Sequence, residues 1–366
     1  MVRKAVDKPF LIISIILVLI GFFIFSSASL GLLARDNINY LKLVSSQLLF
    51  GIFLGSIVAF FLSRIHYKIW NKYSFYIFLF AIGLTLMVFI PQLSFSHGGA
   101  NRWLDFGPLS FQPAEFLKIA FVIYFASWIN GVKKHIKSFS FGILPLIILL
   151  GIIGTILLLQ PDTGTLIVIF AAAVLIYFVA GGNLKHIFLL FVISIIGAGL
   201  LVFTKPYIKD RVMTFVNPQE DPLGAGYQIQ QSLIAVGSGG IFGRGFGQSV
   251  QKFNFLPEPV GDSIFAVFAE EWGLLGSVIL IILFLYFSWR GFKIAVRAPD
   301  MFSQLTVVGF ITLITVQSFI NIAAMLGIFP LTGMPLIFIS HGGTALLFAL
   351  AEIGIILNIS RYQKIS

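Results

Sequence analysis

The 366-residue chain is 58% hydrophobic and only 10% charged, with 41 phenylalanines and a formal net charge of +10. A soluble domain carries about 25% charged residues, so this composition cannot cover a water-facing surface, and the bilayer is the solvent. Cysteine is absent, which excludes disulfides, a thiol nucleophile and a thiolate metal site; the basic excess must be sorted by membrane side before it bears on partners.

The chain opens with a basic stretch, Met1 to Lys8, followed by an apolar run without a clear small-residue cleavage site. It reads as a first membrane helix and not as a cleaved signal. Runs of about 20 apolar residues, the length a spanning helix needs, recur near 9–29, 43–63, 73–91, 112–130, 141–159, 164–181, 185–204, 264–289, 303–329 and 336–359. They predict an all-α polytopic fold of ten spans, forming one membrane domain over 1–366. The fifth and sixth spans are separated by a tight turn, Gln160-Pro-Asp162-Thr163. With the N-terminus placed in the cytoplasm, fifteen Lys and Arg fall on that side and eight on the other, and each short inner loop is basic, as around Arg64–Lys72, Lys133–Lys137 and Arg290–Arg297. The positive-inside rule then puts both termini in the cytoplasm. Acids lean outward: Asp36, Asp105, Asp162, Asp210, Glu220, Asp221, Glu258 and Asp262 lie outside.

Between the third and fourth spans, Arg102 beside Trp103 suits a headgroup-level phosphate contact, or an ordinary interfacial anchor. His97 and His341 lack metal-ligand spacing and read as loop residues. In Phe111-Gln-Pro-Ala-Glu115-Phe-Leu-Lys118, Pro113 suits a first helical turn, and Glu115 and Lys118 share a face at i, i+3. They are either a substrate site or a structural ion pair.

Residues 205–263 form a long outer loop before the eighth span, and long loops in compact folds are usually functional. Its aromatics Phe215, Tyr227, Phe242, Phe246, Phe253 and Phe255 argue for a loop folded against the membrane. Within Gly237–Gly247, six glycines could present N–H groups to phosphate, with Arg244 and Lys252 adding charge, or could form a flexible re-entrant turn. Glu258 and Asp262 are two carboxylates four residues apart at the mouth of the eighth span. Asp262 could be a general base, or it or Ser263 could cap the helix. Glu270 and Glu271 point about 100° apart on that helix, so at least one must face the interior, with Lys118 or Arg102 expected as partner.

These residues resemble, in order and over essentially the whole chain, the SEDS family of shape, elongation, division and sporulation proteins (FtsW, RodA, SpoVE). The matching segments are Ala100-Asn-Arg102-Trp-Leu, the Phe111–Lys118 run, Gln160-Pro-Asp162-Thr-Gly164-Thr, Asn217-Pro through Asp221-Pro-Leu-Gly-Ala-Gly-Tyr227-Gln-Ile-Gln-Gln231-Ser, and the glycine loop. They continue with Gln248-Ser-Val-Gln-Lys252, Leu256-Pro-Glu258, Pro330-Leu-Thr-Gly333-Met-Pro335 and His341-Gly-Gly. The run Gln248–Pro259 and the ending Ile356–Arg361 are most similar to the division branch.

The resemblance implies a peptidoglycan glycosyltransferase of the bacterial cytoplasmic membrane, possessing a septal role and joining lipid II units to a growing glycan strand with release of undecaprenyl diphosphate. It implies Asp262 as the essential aspartate and general base, Glu258 as the glutamate of the same motif, and Glu115 and Lys118 as a buried ion pair. Arg102, Arg244 and Lys252 are the basic residues expected near the diphosphate. A divalent cation such as Mg2+ could share that charge, although no acid cluster marks a metal site. The implied partners are a class B penicillin-binding protein transpeptidase, other divisome membrane proteins and membrane lipid, with no nucleic acid. A lipid II flippase and a non-catalytic scaffold are the competing readings. The sequence departs from the family's Thr-Asp-Phe at Gly261-Asp262-Ser263, and from Gly-Gly-Ser-Ser at Gly342-Gly-Thr-Ala345.

Overall fold

The computed structural model describes residues 5–34, 40–97, 100–105, 110–220 and 224–363. Arg3, Lys4, Arg35, Asp36, Asp221 and Lys364, which entered the charge and motif readings above, lie outside the described residues.

The chain is mostly helical. Its helices are α1 (Lys8–Ser29), α2 (Tyr40–Ser46), α3 (Gly55–Leu62), α4 (Lys68–Leu86), α5 (Pro113–Val132), α6 (Leu144–Leu159), α7 (Thr163–Val179), α8 (Leu184–Thr204), α9 (Pro206–Val216), α10 (Ala225–Ser238), α11 (Ile264–Val296), α12 (Met301–Met325) and α13 (Gly343–Ser360). A π-helical stretch, Gln47–Leu54, joins α2 to α3 into one span. Among the described residues nine helices are long and apolar enough to cross a membrane, and α7, at 17 residues, corresponds to the remaining predicted run. The long loop contains α9 and α10, and the connection after α4 carries a small antiparallel sheet, β1 (Ser94–His97), β2 (Ala100–Asp105) and β3 (Ser110–Phe111) in the order β1-β2-β3.

The helix starts follow the sequence chemistry. Asp7 accepts from Phe10 N at 3.0 Å with Pro9 in the first turn of α1. Asp162 accepts from Thr165 N at 3.2 Å to begin α7, and Asp300 and Ser303 form a reciprocal capping box on α12; each satisfies amides that a helix N-terminus leaves open. α12 sits at the centre, packed by α5, α7 and α11, while α13 packs on α3 and α1 on α11. α8 stands apart, burying Leu190 and little else.

One end of the bundle gathers the start of α1 and the end of α13. Arg290 forks onto Asp7 at 2.9 and 2.8 Å, Asp7 N donates to Ser360 Oγ at 3.1 Å, and Tyr67 donates to Asp300 Oδ2 at 2.7 Å. The described residues of 205–263 lie at the other end, the loop end.

Two predicted runs end differently in the structure. α12 stops at Met325 and α13 begins at Gly343, so much of the apolar stretch from 326 to 342 is not helical. Its Leu331, Met334 and Leu336 to Ile339 are nevertheless buried. Apolarity reports membrane depth, and irregular backbone is tolerated there when protein side chains satisfy it. Gln317 Nε2 donates to Pro335 O at 3.2 Å, Asn321 Nδ2 to Met334 O at 2.8 Å, and Gln47 Nε2 to Ser340 O at 3.2 Å.

The 33 residues of α11 would run roughly 50 Å as a straight helix, against about 30 Å of hydrocarbon. The helix breaks at Gly273, with φ at 63° and ψ at −162°. A Cβ at Gly273 would stand 2.4 Å from Gly243 N and 2.6 Å from Ile241 O. Replacing Gly273 with Ala should therefore destabilise the protein by at least about 1–3 kcal/mol. Thermal unfolding in detergent, followed by circular dichroism, should show a lowered midpoint; an unchanged midpoint would contradict this account of the kink.

Candidate active site

Asp262 lies in a tight turn leading into α11. Glu258 adopts a left-handed backbone (φ 46°), and its carbonyl accepts from Gly261 N at 3.0 Å and Ser263 N at 3.2 Å. Three consecutive carbonyls of this turn are each held from elsewhere: Val260 O by His341 N, Gly261 O by Ser340 Oγ and Asp262 O by Asn321 Nδ2, all at 2.7 Å. The Asp262 carboxylate accepts from Gln228 Nε2 of α10 at 3.2 Å. Burial pushes its pKa up to about 6, the Glu258 charge adding to the rise while Gln228 and, more weakly, Arg211 oppose it. The cap position before Ile264 is Ser263, and no side-chain cap bond is made there. The capping alternative for Asp262 is therefore not what the geometry shows. Burial also pushes the nearby His341 imidazole down, favouring its neutral form.

Basic groups gather beside this turn. Arg211, on α9, reaches Thr332 O at 3.3 Å and Thr163 Oγ1 at 3.5 Å. Its guanidinium is held below its usual range by burial and by the neighbouring Arg102 charge. Arg102 donates through Nε to Gln160 O at 3.2 Å and also to Pro161 O. The Tyr207 hydroxyl, which feels both arginines, is buried without a hydrogen-bond partner among the described residues. Arg211 also lines an apolar cavity of about 600 Å³ between α6, α7, α8 and α9, together with Leu150, Leu166, Leu201 and Phe329–Thr332.

Lys252 and Arg244 are placed differently from the expectation. Lys252 is completely buried and pairs with Glu271 Oε1 at 2.7 Å while donating to Ser27 O at 3.0 Å. An ammonium neutralised inside protein is not available to a diphosphate, so that assignment is corrected. Arg244 pairs with Glu270 Oε1 at 3.4 Å. The partners of Glu270 and Glu271 are thus Arg244 and Lys252, not Lys118 or Arg102. Ser249 Oγ also donates to Glu270, at 2.5 Å.

The glycine loop is neither a phosphate cradle nor a flexible turn. Its amides meet protein acceptors: Arg244 N donates to Glu270 O at 3.0 Å, Gly245 N to Glu271 O at 2.9 Å and Gly247 N to Ser27 Oγ at 3.2 Å. The break at Gly273 frees those helix carbonyls, and glycine at positive φ lets the loop backbone reach them.

Glu115 and Lys118 form the expected buried pair at 2.9 Å, and Lys118 Nζ also donates to Gln317 Oε1 at 2.6 Å. Glu352 of α13 shares their small cavity, with its Oε2 buried and lacking a hydrogen-bond partner among the described residues. Sequence reasoning missed Arg211, Gln228 and Asn321 as site residues. The available signals were a polar Asn inside an apolar span and an arginine on a polar helix in the long loop.

The arrangement defines a class: a polytopic helical membrane protein with a desolvated carboxylate and clustered arginines beside an apolar cavity at one end. The chain belongs to the Cell cycle protein family of FtsW, RodA and SpoVE, which it matches over residues 8–365. It is 38% identical to "Stage V sporulation protein E" of Bacillus subtilis strain 168, covering 99% of each chain. It is 34% identical to "Probable peptidoglycan glycosyltransferase FtsW" of Geobacter sp. strain M18, covering 98% of this chain and 97% of that one. Among solved structures it resembles a chain from a peptidoglycan synthase complex (TM-score 0.80, 27% identity, 98% and 99% covered). It also resembles the rod shape determining protein RodA of Thermus thermophilus (TM-score 0.71, 25% identity, 98% and 99% covered).

Removing one partner of a buried ion pair leaves an uncompensated charge, at a cost of roughly 3–5 kcal/mol. Lys252→Ala should therefore lower the melting point sharply, and the double variant Lys252→Ala/Glu271→Leu should recover most of it. Unchanged stability in Lys252→Ala would return Lys252 to the phosphate role.

Proposed function

We propose that the chain is a peptidoglycan glycosyltransferase that polymerises lipid II on the outer face of the bacterial cytoplasmic membrane, with septal wall synthesis as its setting. The observation that carries this reading is the Asp262 carboxylate, raised to about 6 beside Arg211, which itself lines an apolar cavity. A base is most effective when its acidity lies near the working pH. The leaving diphosphate carries its own activation, so the protein has to orient two lipid-linked sugars, accept one proton and steady the developing charge.

In the proposed step Asp262 takes the proton of the acceptor GlcNAc 4-hydroxyl. That oxygen bonds to the anomeric carbon of the donor MurNAc as the carbon–oxygen bond to the diphosphate breaks. The electron pair leaves with undecaprenyl diphosphate, and configuration inverts. Arg211 and Arg102, with the unfilled Tyr207 hydroxyl, fit the diphosphate, and the apolar cavity fits part of a polyprenyl chain. The Glu258 charge helps to raise the pKa of Asp262, making it a better base. The ion pair Glu115–Lys118 acts structurally, through Gln317 and the segment it bonds. Basic inner loops support cytoplasmic termini, with the loop end outside. The likeness to a chain of a peptidoglycan synthase complex supports a class B penicillin-binding protein as partner.

A flippase needs a polar path through the membrane. The cavity at the Glu115, Lys118, Gln317 and Glu352 cluster is only about 10 Å³, room for about one water molecule, which disfavours that reading.

Purified with its transpeptidase partner and given labelled lipid II, the wild-type chain should make polymer, while folded Asp262→Asn and Asp262→Ala should make none. Equal polymer from all three would remove Asp262 from the chemistry, and none from any would favour a flippase or scaffold. Because the base must be ionised, wild-type kcat/KM should fall as pH drops through about 6. Arg211→Ala should cut kcat/KM by roughly 100-fold, the scale of losing one charge-stabilising donor; unchanged turnover would exclude Arg211 from diphosphate stabilisation.

A further inference from the structure

Taking Asp262 as the general base proposed above, we infer that Gln228 and Ser263 form a positioning pair that aims its carboxylate. The Gln228 amide nitrogen stands 3.2 Å from Asp262 Oδ1 and 2.9 Å from Ser263 Oγ. An ionised carboxylate only accepts hydrogen bonds, so the amide must face it with N–H and not with its carbonyl. That amide group has two hydrogens, one for each partner. Ser263 is completely buried and makes no cap bond to α11, so its hydroxyl is available to orient Gln228, and Gln228 orients Asp262.

The pairing gives the buried Ser263 hydroxyl a role. A phenylalanine at 263 would have no hydroxyl for the amide. Gly261 belongs to the same turn, and a Cβ there would lie 3.2 Å from Glu258 Oε2. The charged groups that act on Asp262 are then Glu258 from its own turn and Arg211 from α9. Gln228 on α10 is the neutral donor among them, and its N–H favours the ionised base. His341, whose amide holds Val260 O, is favoured neutral by burial. The backbone of the turn is fixed by Asn321, Ser340 and His341, and Gln228 is the side chain that holds the carboxylate, alongside the residue's own backbone amide.

The test measures lipid II polymerisation by the full chain with its partner, across pH 5 to 9. The proteins are wild type, Gln228→Ala, isosteric Gln228→Glu, Ser263→Ala, the double variant Gln228→Ala/Ser263→Ala, and Asp262→Ala as control. Gln228→Ala should lower kcat roughly 10- to 100-fold with little change in KM. Its acid limb should move up by about one pH unit, the equivalent of one charge-assisted hydrogen bond. Gln228→Glu keeps the shape, cannot donate when ionised, and should move the limb further up. Ser263→Ala should shift it in the same direction by less, and should add nothing in the Gln228→Ala background. An acid limb that stays in place in both Gln228 variants, or Ser263 and Gln228 effects that multiply, would overturn the pairing. Polymer from Asp262→Ala would instead overturn the general-base reading itself.

Discussion

The site depends on three consecutive carbonyls. Val260, Gly261 and Asp262 each present an oxygen that a different donor captures at 2.7 Å: a backbone amide, a serine hydroxyl and an asparagine amide. Buried backbone acceptors must be paired, and here the pairing also fixes a turn against two other parts of the fold. The Asp262 carboxylate is held where burial outweighs hydrogen bonding, which places a carboxyl group near neutrality. Without that clamp the turn could open to water and the acidity would relax toward an ordinary aspartate.

The clamp connects to the bundle interior through α12. Asn321 and Gln317 stand one helical turn apart on that helix. Asn321 bridges Asp262 O and Met334 O, while Gln317 bridges Lys118 and Pro335 O. The irregular segment between α12 and α13 is thus fastened to the same helix that receives the Glu115–Lys118 pair. A second fastening lies along α11, where the break at Gly273 lets the glycine loop dock and the Lys252–Glu271 pair ties that loop to α1. Both fastenings leave α8 outside, beside the apolar cavity it lines.

The fold was legible because the membrane imposes a length. Ten apolar runs can be counted without knowing how they pack, and each corresponds to a span or near-span. Helicity between 326 and 342 was not legible, since apolar composition is the same for a helix and for irregular backbone satisfied by Gln317, Asn321 and Ser340. Asp262 stood out as an acid at a helix mouth, and the resemblance gave it a role. Its neighbours did not stand out. Gln228 is 34 residues away, Asn321 is 59, and neither spacing follows a local rule. The basic residues were sorted by charge alone, which cannot separate Lys252, neutralised by Glu271, from Arg211, whose neighbour is another arginine. The glycine count reported permissive backbone correctly but carried no information about which acceptors its amides would meet.

The clamped, desolvated Asp262 carboxyl titrates near pH 6. Isotope-edited infrared titration of the aspartate carboxyls, with the protein in lipid nanodiscs, reads this directly as the difference between wild type and Asp262→Asn. A carboxyl band half-protonated near pH 6, present in wild type and missing from Asp262→Asn, is the predicted result. A difference band that titrates near pH 4, the range of about 3.9 for a solvated aspartate, would contradict it.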